Sequence, residues 1–107
     1  EKPTALIVIG DIVAIRLMQF LSFYDLSVPD DISLITFNNS IYSKLIHPYL
    51  TTFDVNIENL GRTSLRHLLS IIKSPDEVSH ETIIVPFILK ERESVRQLIV
   101  EDKAENK

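Results

Sequence analysis

Three histidines, His47, His67 and His80, are the first residues to test for metal or acid–base chemistry. They lie far apart, without the short spacing that lets imidazoles share an ion, so no metal set is read here. Cysteines are absent, which excludes disulfides, thiolate metal sites and a cysteine nucleophile. Only two glycines, Gly10 and Gly61, are present, too few for a backbone cradle around phosphate. No nucleophile elbow, P-loop or dinucleotide fingerprint occurs. The paired carboxylates Asp30-Asp31 and Asp76-Glu77 sit at turns and read as solvated charge, as does the run Lys90-Glu91-Arg92-Glu93. No catalytic constellation and no cofactor motif emerges. What remains is positional: Gly10-Asp11 and Asn38-Asn39 each follow a candidate strand. Amide side chains donate and accept at once, which suits the hydroxyls of a neutral polyol. The competing structural reading is that Asp11 and Asn39 cap helices and Asn38 turns the chain.

The elements that would carry these residues follow from local pattern. Leu6-Ile7-Val8-Ile9 is a continuous apolar, β-branched run, as in a parallel strand buried on both faces. Gly10 permits a sharp turn and Asp11 is placed to cap a helix from Ile12 to about Leu26. Val28-Pro29-Asp30-Asp31 makes a turn, Ile32 to Phe37 the next strand, and Ile41 to Ile46 a short helix stopped by Pro48. Leu50 to Val55 reads as extended. Asn56 caps a helix from Ile57 to Lys73, which ends at Ser74-Pro75-Asp76. A last strand covers Thr82 to Leu89, with Pro86 pointing to an edge or a bulge. Residues 96–107 form a charged tail, expected to be disordered. This alternation is an α/β pattern with a parallel sheet, and open sheets of that kind bind ligands outside the carboxyl ends of their strands.

The two longer helices differ. Ile57, Leu60, Gly61, Ser64, Leu65, Leu68 and Ile72 fall on one face of the second, with Glu58, Arg62, Arg66 and Lys73 opposite. That is a helix covering a sheet. On the first helix Ala14, Leu17, Met18 and Leu21 make one stripe, while Ile12, Ile15, Phe20 and Phe23 add a second apolar surface. A helix apolar on two sides is buried on two sides, against another part of the protein or another subunit.

At 107 residues and 45% hydrophobic, the chain supports one modest core. Its net charge of −4, 11 Lys plus Arg against 15 Asp plus Glu, repels a phosphate backbone, so DNA contact must come from elsewhere. No apolar run reaches the roughly 20 residues of a membrane helix. The start Glu1-Lys2-Pro3-Thr4 lacks an initiator Met and a signal peptide's layout, and reads as cut from something longer; a reducing cytoplasm fits the absence of cysteine.

Ordered motifs give a resemblance. Pro3-Thr4-Ala5 leads into Gly10-Asp11-Ile12-Val13-Ala14, Val28-Pro29-Asp30-Asp31-Ile32-Ser33 follows, then Thr36-Phe37-Asn38-Asn39. Pro48-Tyr49-Leu50-Thr51-Thr52, Leu60-Gly61 and Leu68-Leu69 complete the series. Together these resemble the effector-binding domain of LacI/GalR-type transcriptional regulators over residues 3 to about 95. The resemblance implies a three-layer, periplasmic-binding-protein-like fold of type I. Residues 1–95 would be the C-terminal portion of the effector-binding and dimerisation domain, with the helix at about 57–73 belonging to the other lobe. In a fragment that helix lacks its sheet, so altered packing is expected there.

By the same resemblance, Gly10, Asp11, Asn38 and Asn39 line the effector site, although the family's Asn is Gly10 here and its Asp is Asn38. The family's dimer contacts fall on Ile12, Ile15, Gln19, Leu45 and Ile46. The implied protein is a homodimeric, cytoplasmic regulator, a repressor responding to a sugar, phosphosugar or related metabolite. It would meet DNA only through an N-terminal helix-turn-helix outside this chain. The alternatives are a sugar-binding transport protein of the same fold, a doubly wound enzyme domain, and a dimerisation module without sensing.

Overall fold

The computed structural model describes residues 2–77 and 81–99. Strand β1 (Ala5–Val8) leads through Gly10 into helix α1 (Asp11–Ser22). Strand β2 (Ser33–Phe37), a 3-10 helix (Ile41–Lys44) and strand β3 (Thr51–Asp54) follow. Helix α2 (Ile57–Lys73) and a short strand β4 (Ile88–Lys90) complete the order. The sheet runs β1-β2-β3-β4. β1 pairs with β2 in parallel, Leu6 opposite Leu34, and β2 with β3 in parallel, Phe37 opposite Phe53. β4 lies antiparallel to β3, Phe53 opposite Leu89. The expected parallel sheet is therefore mixed, with one antiparallel strand on a parallel set, as α/β folds often have.

The core lies between α1 and one face of the sheet. Leu21, Ile32 and Leu34 are buried, with Leu6, Val8, Leu17, Met18, Leu26 and Val28 packed around them. The stripe expected on the first helix is the one that meets the sheet. β1, however, is covered on one side only: Leu6 and Val8 are half-buried, while Ile7 is 70% exposed. The expectation of burial on both faces thus fails, because β1 pairs only with β2 and no described element lies over its second face.

α1 ends sooner than expected. Asp25 adopts a left-handed φ of 55°, Leu26 N–H donates to the Leu21 carbonyl (3.1 Å), and Asp25 N–H donates to the Ser22 carbonyl (3.2 Å). This pair of bonds is a Schellman closure, with Asp at the position usually given to glycine. Leu26 then folds back onto the core. The last strand also differs: residues 82–87 form no strand, and β4 begins only after Pro86 and Phe87. A proline without an N–H cannot join the β3 ladder.

α2 occupies the expected residues. Asn56, at φ 52°, caps it by accepting from Asn59 N–H (3.4 Å). None of its residues is buried. Ile57, Leu65, Leu68 and Ile72 are all more than half exposed. Residues 96–99 carry no regular secondary structure; the remainder of the expected disordered tail, residues 100–107, lies outside the described residues, as does His80.

Candidate functional site

The carboxyl ends of β1, β2 and β3 meet at one end of the sheet. There the chain turns with positive φ at Gly10 (103°), Asn38 (97°), Asn39 (46°) and Asn56 (52°). Glycine and asparagine are the residues that enter this region with least strain, so these turns explain the residue types. At Gly10, φ of 103° and ψ of 130° strain any side chain, although a Cβ would meet only Val13 Cγ2, at 3.9 Å. The position holds glycine for its backbone, not for lack of room.

Asp11 is buried, at 3% exposure, and does not cap α1: Gly10 occupies the N-cap position without a side-chain bond. The capping role expected of Asp11 is therefore replaced by a longer-range one. Asp11 Oδ1 accepts from Thr36 Oγ1 on β2 and Thr52 Oγ1 on β3 (3.3 Å). Its Oδ2 accepts from the Ser40 N–H and the Ser40 hydroxyl, both at 2.7 Å. Four donors from three segments converge on one carboxylate, which fits the rule that a buried charge is heavily hydrogen-bonded. The residue joins the β1 turn, both central strands and the loop entering the 3-10 helix.

Asn39 also works inward. It does not cap the 3-10 helix, whose N-cap residue, Ser40, makes no side-chain cap bond. Asn39 Nδ2 donates to Asp54 Oδ2 (3.0 Å), and its Oδ1 accepts from Arg92 Nη2 and, more weakly, from the Ser43 hydroxyl (3.4 Å). Asp54 Oδ1 in turn accepts from Asn56 N–H (2.9 Å). The Asp54 carboxyl is held below its ordinary value of 3.8 by the Asn56 N–H first, then by the Asn39 amide, with Lys90 and Arg92 adding favourable charge. Asn38 differs from both. Its N–H donates to the Phe53 carbonyl (2.8 Å), while its side chain is exposed. The structure therefore brings the four sequence-chosen residues to one end of the sheet, with two side chains turned inward and Asn38 facing outward.

Sequence reasoning missed Arg92, which looked like one member of a solvated charge run. Arg92 Nη1 donates to Ser43 Oγ (3.0 Å) and the Leu50 carbonyl (2.8 Å), and its backbone N–H donates to Thr51 Oγ1 (2.9 Å). Ser94 was missed as well. Fully buried, its hydroxyl donates to the Leu34 carbonyl (2.6 Å) and accepts from Thr51 N–H (2.8 Å). The only local hint was an Arg and a Ser two residues apart after a strand. A cavity of about 310 Å³ beneath this segment, lined by Ile35, Thr51, Leu89, Arg92 and Val95 among others, includes none of the four strand-tip residues.

The five expected dimer residues lie on α1 and beyond the 3-10 helix, which pack together. Ile12 is 53% and Leu45 64% exposed, Gln19 is exposed, and Ile15 and Ile46 are half-buried. Among the described residues no group of three or more potential metal-binding side chains occurs, and no helix is long and apolar enough to cross a membrane.

Comparison with known proteins agrees with this geometry. The periplasmic binding protein-like domain family matches residues 1–95. The HTH-type transcriptional repressor PurR of Pectobacterium carotovorum is 33% identical over 92 residues, 86% of this chain and 27% of its own length. A LacI transcriptional regulator from Bacillus cereus subsp. cytotoxis superposes with a TM-score of 0.87 at 30% identity, over 92% of this chain and 35% of its own. A LacI family regulator from Enterococcus faecium with bound ribose gives 0.80 at 31% identity, over 90% and 35%. The chain spans less than half the length of the curated relatives it matches. It belongs to the periplasmic binding protein-like domain family and is similar to one part of LacI-type transcriptional regulators.

Proposed function

We propose that this chain is the sensing and self-association part of a cytoplasmic transcriptional repressor that responds to a sugar or phosphosugar. The observation that carries the reading is the exposed Asn38 amide at the joined strand tips, next to two neighbours whose polar groups are already satisfied. Asn38 makes the direct contact with an effector hydroxyl, and Gly10 contributes only backbone. Asp11 and Asn39 hold that wall from behind, because their oxygens are occupied by donors within the chain. A ribose-bound regulator among the structural relatives supports the sugar class, and the repressor relatives favour regulation over transport.

Two unpartnered surfaces supply the rest. The apolar face of α2 belongs to the other lobe, carried by sequence outside this chain, and closure of the lobes is the switch. The partly exposed face of Ile12, Ile15, Gln19, Leu45 and Ile46 meets the same face of a second copy. DNA is contacted through a helix-turn-helix elsewhere in the protein, since this chain is acidic.

Calorimetric titration of the full-length protein with D-ribose, D-xylulose and their phosphates tests the sensing claim. Binding to one of them, weakened about tenfold or more in Asn38→Ala, is the expected result, on the scale of one good hydrogen bond to a polar ligand. Heat from none of them would remove the sugar reading. An Ile15→Arg variant should sediment as a monomer; a dimer with that change refutes the proposed interface.

A further inference from the structure

The segment after β4 does more than end the sheet. Arg92 spreads its guanidinium over Asn39 Oδ1, Ser43 Oγ and the Leu50 carbonyl, while its N–H reaches Thr51 Oγ1. Ser43 is fully buried, and its hydroxyl also donates to the Ser40 carbonyl (2.7 Å). Next along the chain, the Glu93 carboxylate accepts from Tyr49 N–H (3.0 Å) and stands 2.7 Å from His47 Nδ1, while Glu93 N–H donates to the Tyr49 carbonyl (3.0 Å). The loop between β2 and β3 is thus gripped at both ends from one short stretch of chain. That loop holds the turn with the outward amide of Asn38, and it holds Leu45 and Ile46.

We propose that Arg92 is a positioning residue that fixes the Asn38–Asn39 turn and the adjoining 3-10 helix to the chain leaving β4 as one mechanical unit. Three features support this. The planar fork suits three acceptors held in fixed directions, which a lysine ammonium cannot match. The Asn39 amide becomes locked in orientation, its oxygen toward Arg92 and its nitrogen toward Asp54. The contacts cross more than 40 residues of sequence, so movement of the chain leaving β4 passes directly to the turn. The effector consequence rests on the sensing role proposed above; the mechanical claim does not.

Hydrogen exchange on the full-length protein separates the two. Arg92→Met should raise exchange across residues 38–46 by about tenfold or more, the scale of one lost charge-assisted contact, and leave α1 unchanged. Arg92→Lys, which keeps the charge without the fork, should lie between the wild type and Arg92→Met, and it carries the test if the methionine variant fails to fold. Unchanged exchange at 38–46, or a rise equally large in α1, overturns the proposal. With D-ribose and D-xylulose as probes, a sugar that binds the wild type should bind Arg92→Met several-fold more weakly. Equal affinity despite faster exchange would overturn the link to the effector. If neither sugar binds the wild type, the sugar reading falls, and the exchange data still decide the clamp.

Discussion

α1 and α2 both follow a strand tip and both carry an apolar stripe, yet the sheet uses them in opposite ways. α1 buries Asp11, Ala14 and Leu21 and lays Leu17 and Met18 against the core. α2, the longer helix with the cleaner separation of apolar and charged faces, buries no residue. Amphipathicity records that a helix has a partner; it does not say that the partner is in the same stretch of chain. α1 finds β1 and β2 a few residues away, whereas α2 is held at its start by the Asn56 cap and the Arg62–Glu58 pair (2.7 Å), both local bonds. Such local contacts sustain a helix only marginally without tertiary packing.

The sharpest way to break this contrast is a pair of matched truncations in the 107-residue chain. Leu34→Ala removes a fully buried side chain and should destabilise by about 2–5 kcal/mol. Leu65→Ala, at a position 57% exposed, should change stability by about 0.5 kcal/mol or less. Chemical denaturation measures both. Equal losses would mean that α2 packs on something in solution.

A second pair divides the strand-tip residues by role. Asp11→Ala takes the acceptor from the buried hydroxyls of Thr36 and Thr52 and from the half-buried Ser40 N–H, which should cost about 2–4 kcal/mol. Asn38→Ala leaves its backbone bond to Phe53 intact and should cost about 1 kcal/mol or less, mostly from the loss of a residue suited to positive φ. The order is what matters. If Asn38→Ala proved the more damaging to stability, its amide would be structural, and the outward-facing wall would lose its one free side chain.

Much of the fold was legible because its signals are local. The β2 run, the Asn56 cap and the full length of α2 follow from patterns a few residues long, and the strand ends located the candidate site. What stayed hidden depends on distant pairs. Asp11 looked like a helix cap because Ser, Thr and Asp cap helices often; its actual partners, Thr52 and Ser40, come from other elements. Arg92 looked solvated within a mixed charge run, since nothing nearby reveals Ser43 or Asn39 as acceptors. Asp25 closing α1 was missed because glycine, the usual marker, is absent. The uncovered face of β1 was unreadable for another reason: an apolar run shows what a strand tolerates, not which neighbours accompany it.

The smallest effect separates the two regions by acid. Asp31, Asp54 and Glu93, all tied to the strands or to the segments beside them, have carboxyls held below their ordinary values. Backbone N–H donors are the leading cause at each, from Ser27, Asn56 and Tyr49 respectively. A lowered folded-state value means that the stabilisation is complete above the unfolded value and fades as pH falls through the folded one. The window therefore opens near the ordinary values of 3.8 for Asp and 4.5 for Glu and extends below them. None of the three is buried, with Glu93 exposed and Asp31 and Asp54 half-buried, so solvent screening keeps each contribution small. The melting temperature of the 107-residue chain should fall modestly as pH drops from about 5 to about 3, and Asp54→Asn should flatten that slope. A slope unchanged in Asp54→Asn would show that Asp54 contributes nothing to the acid dependence, leaving Asp31 and Glu93 to carry it.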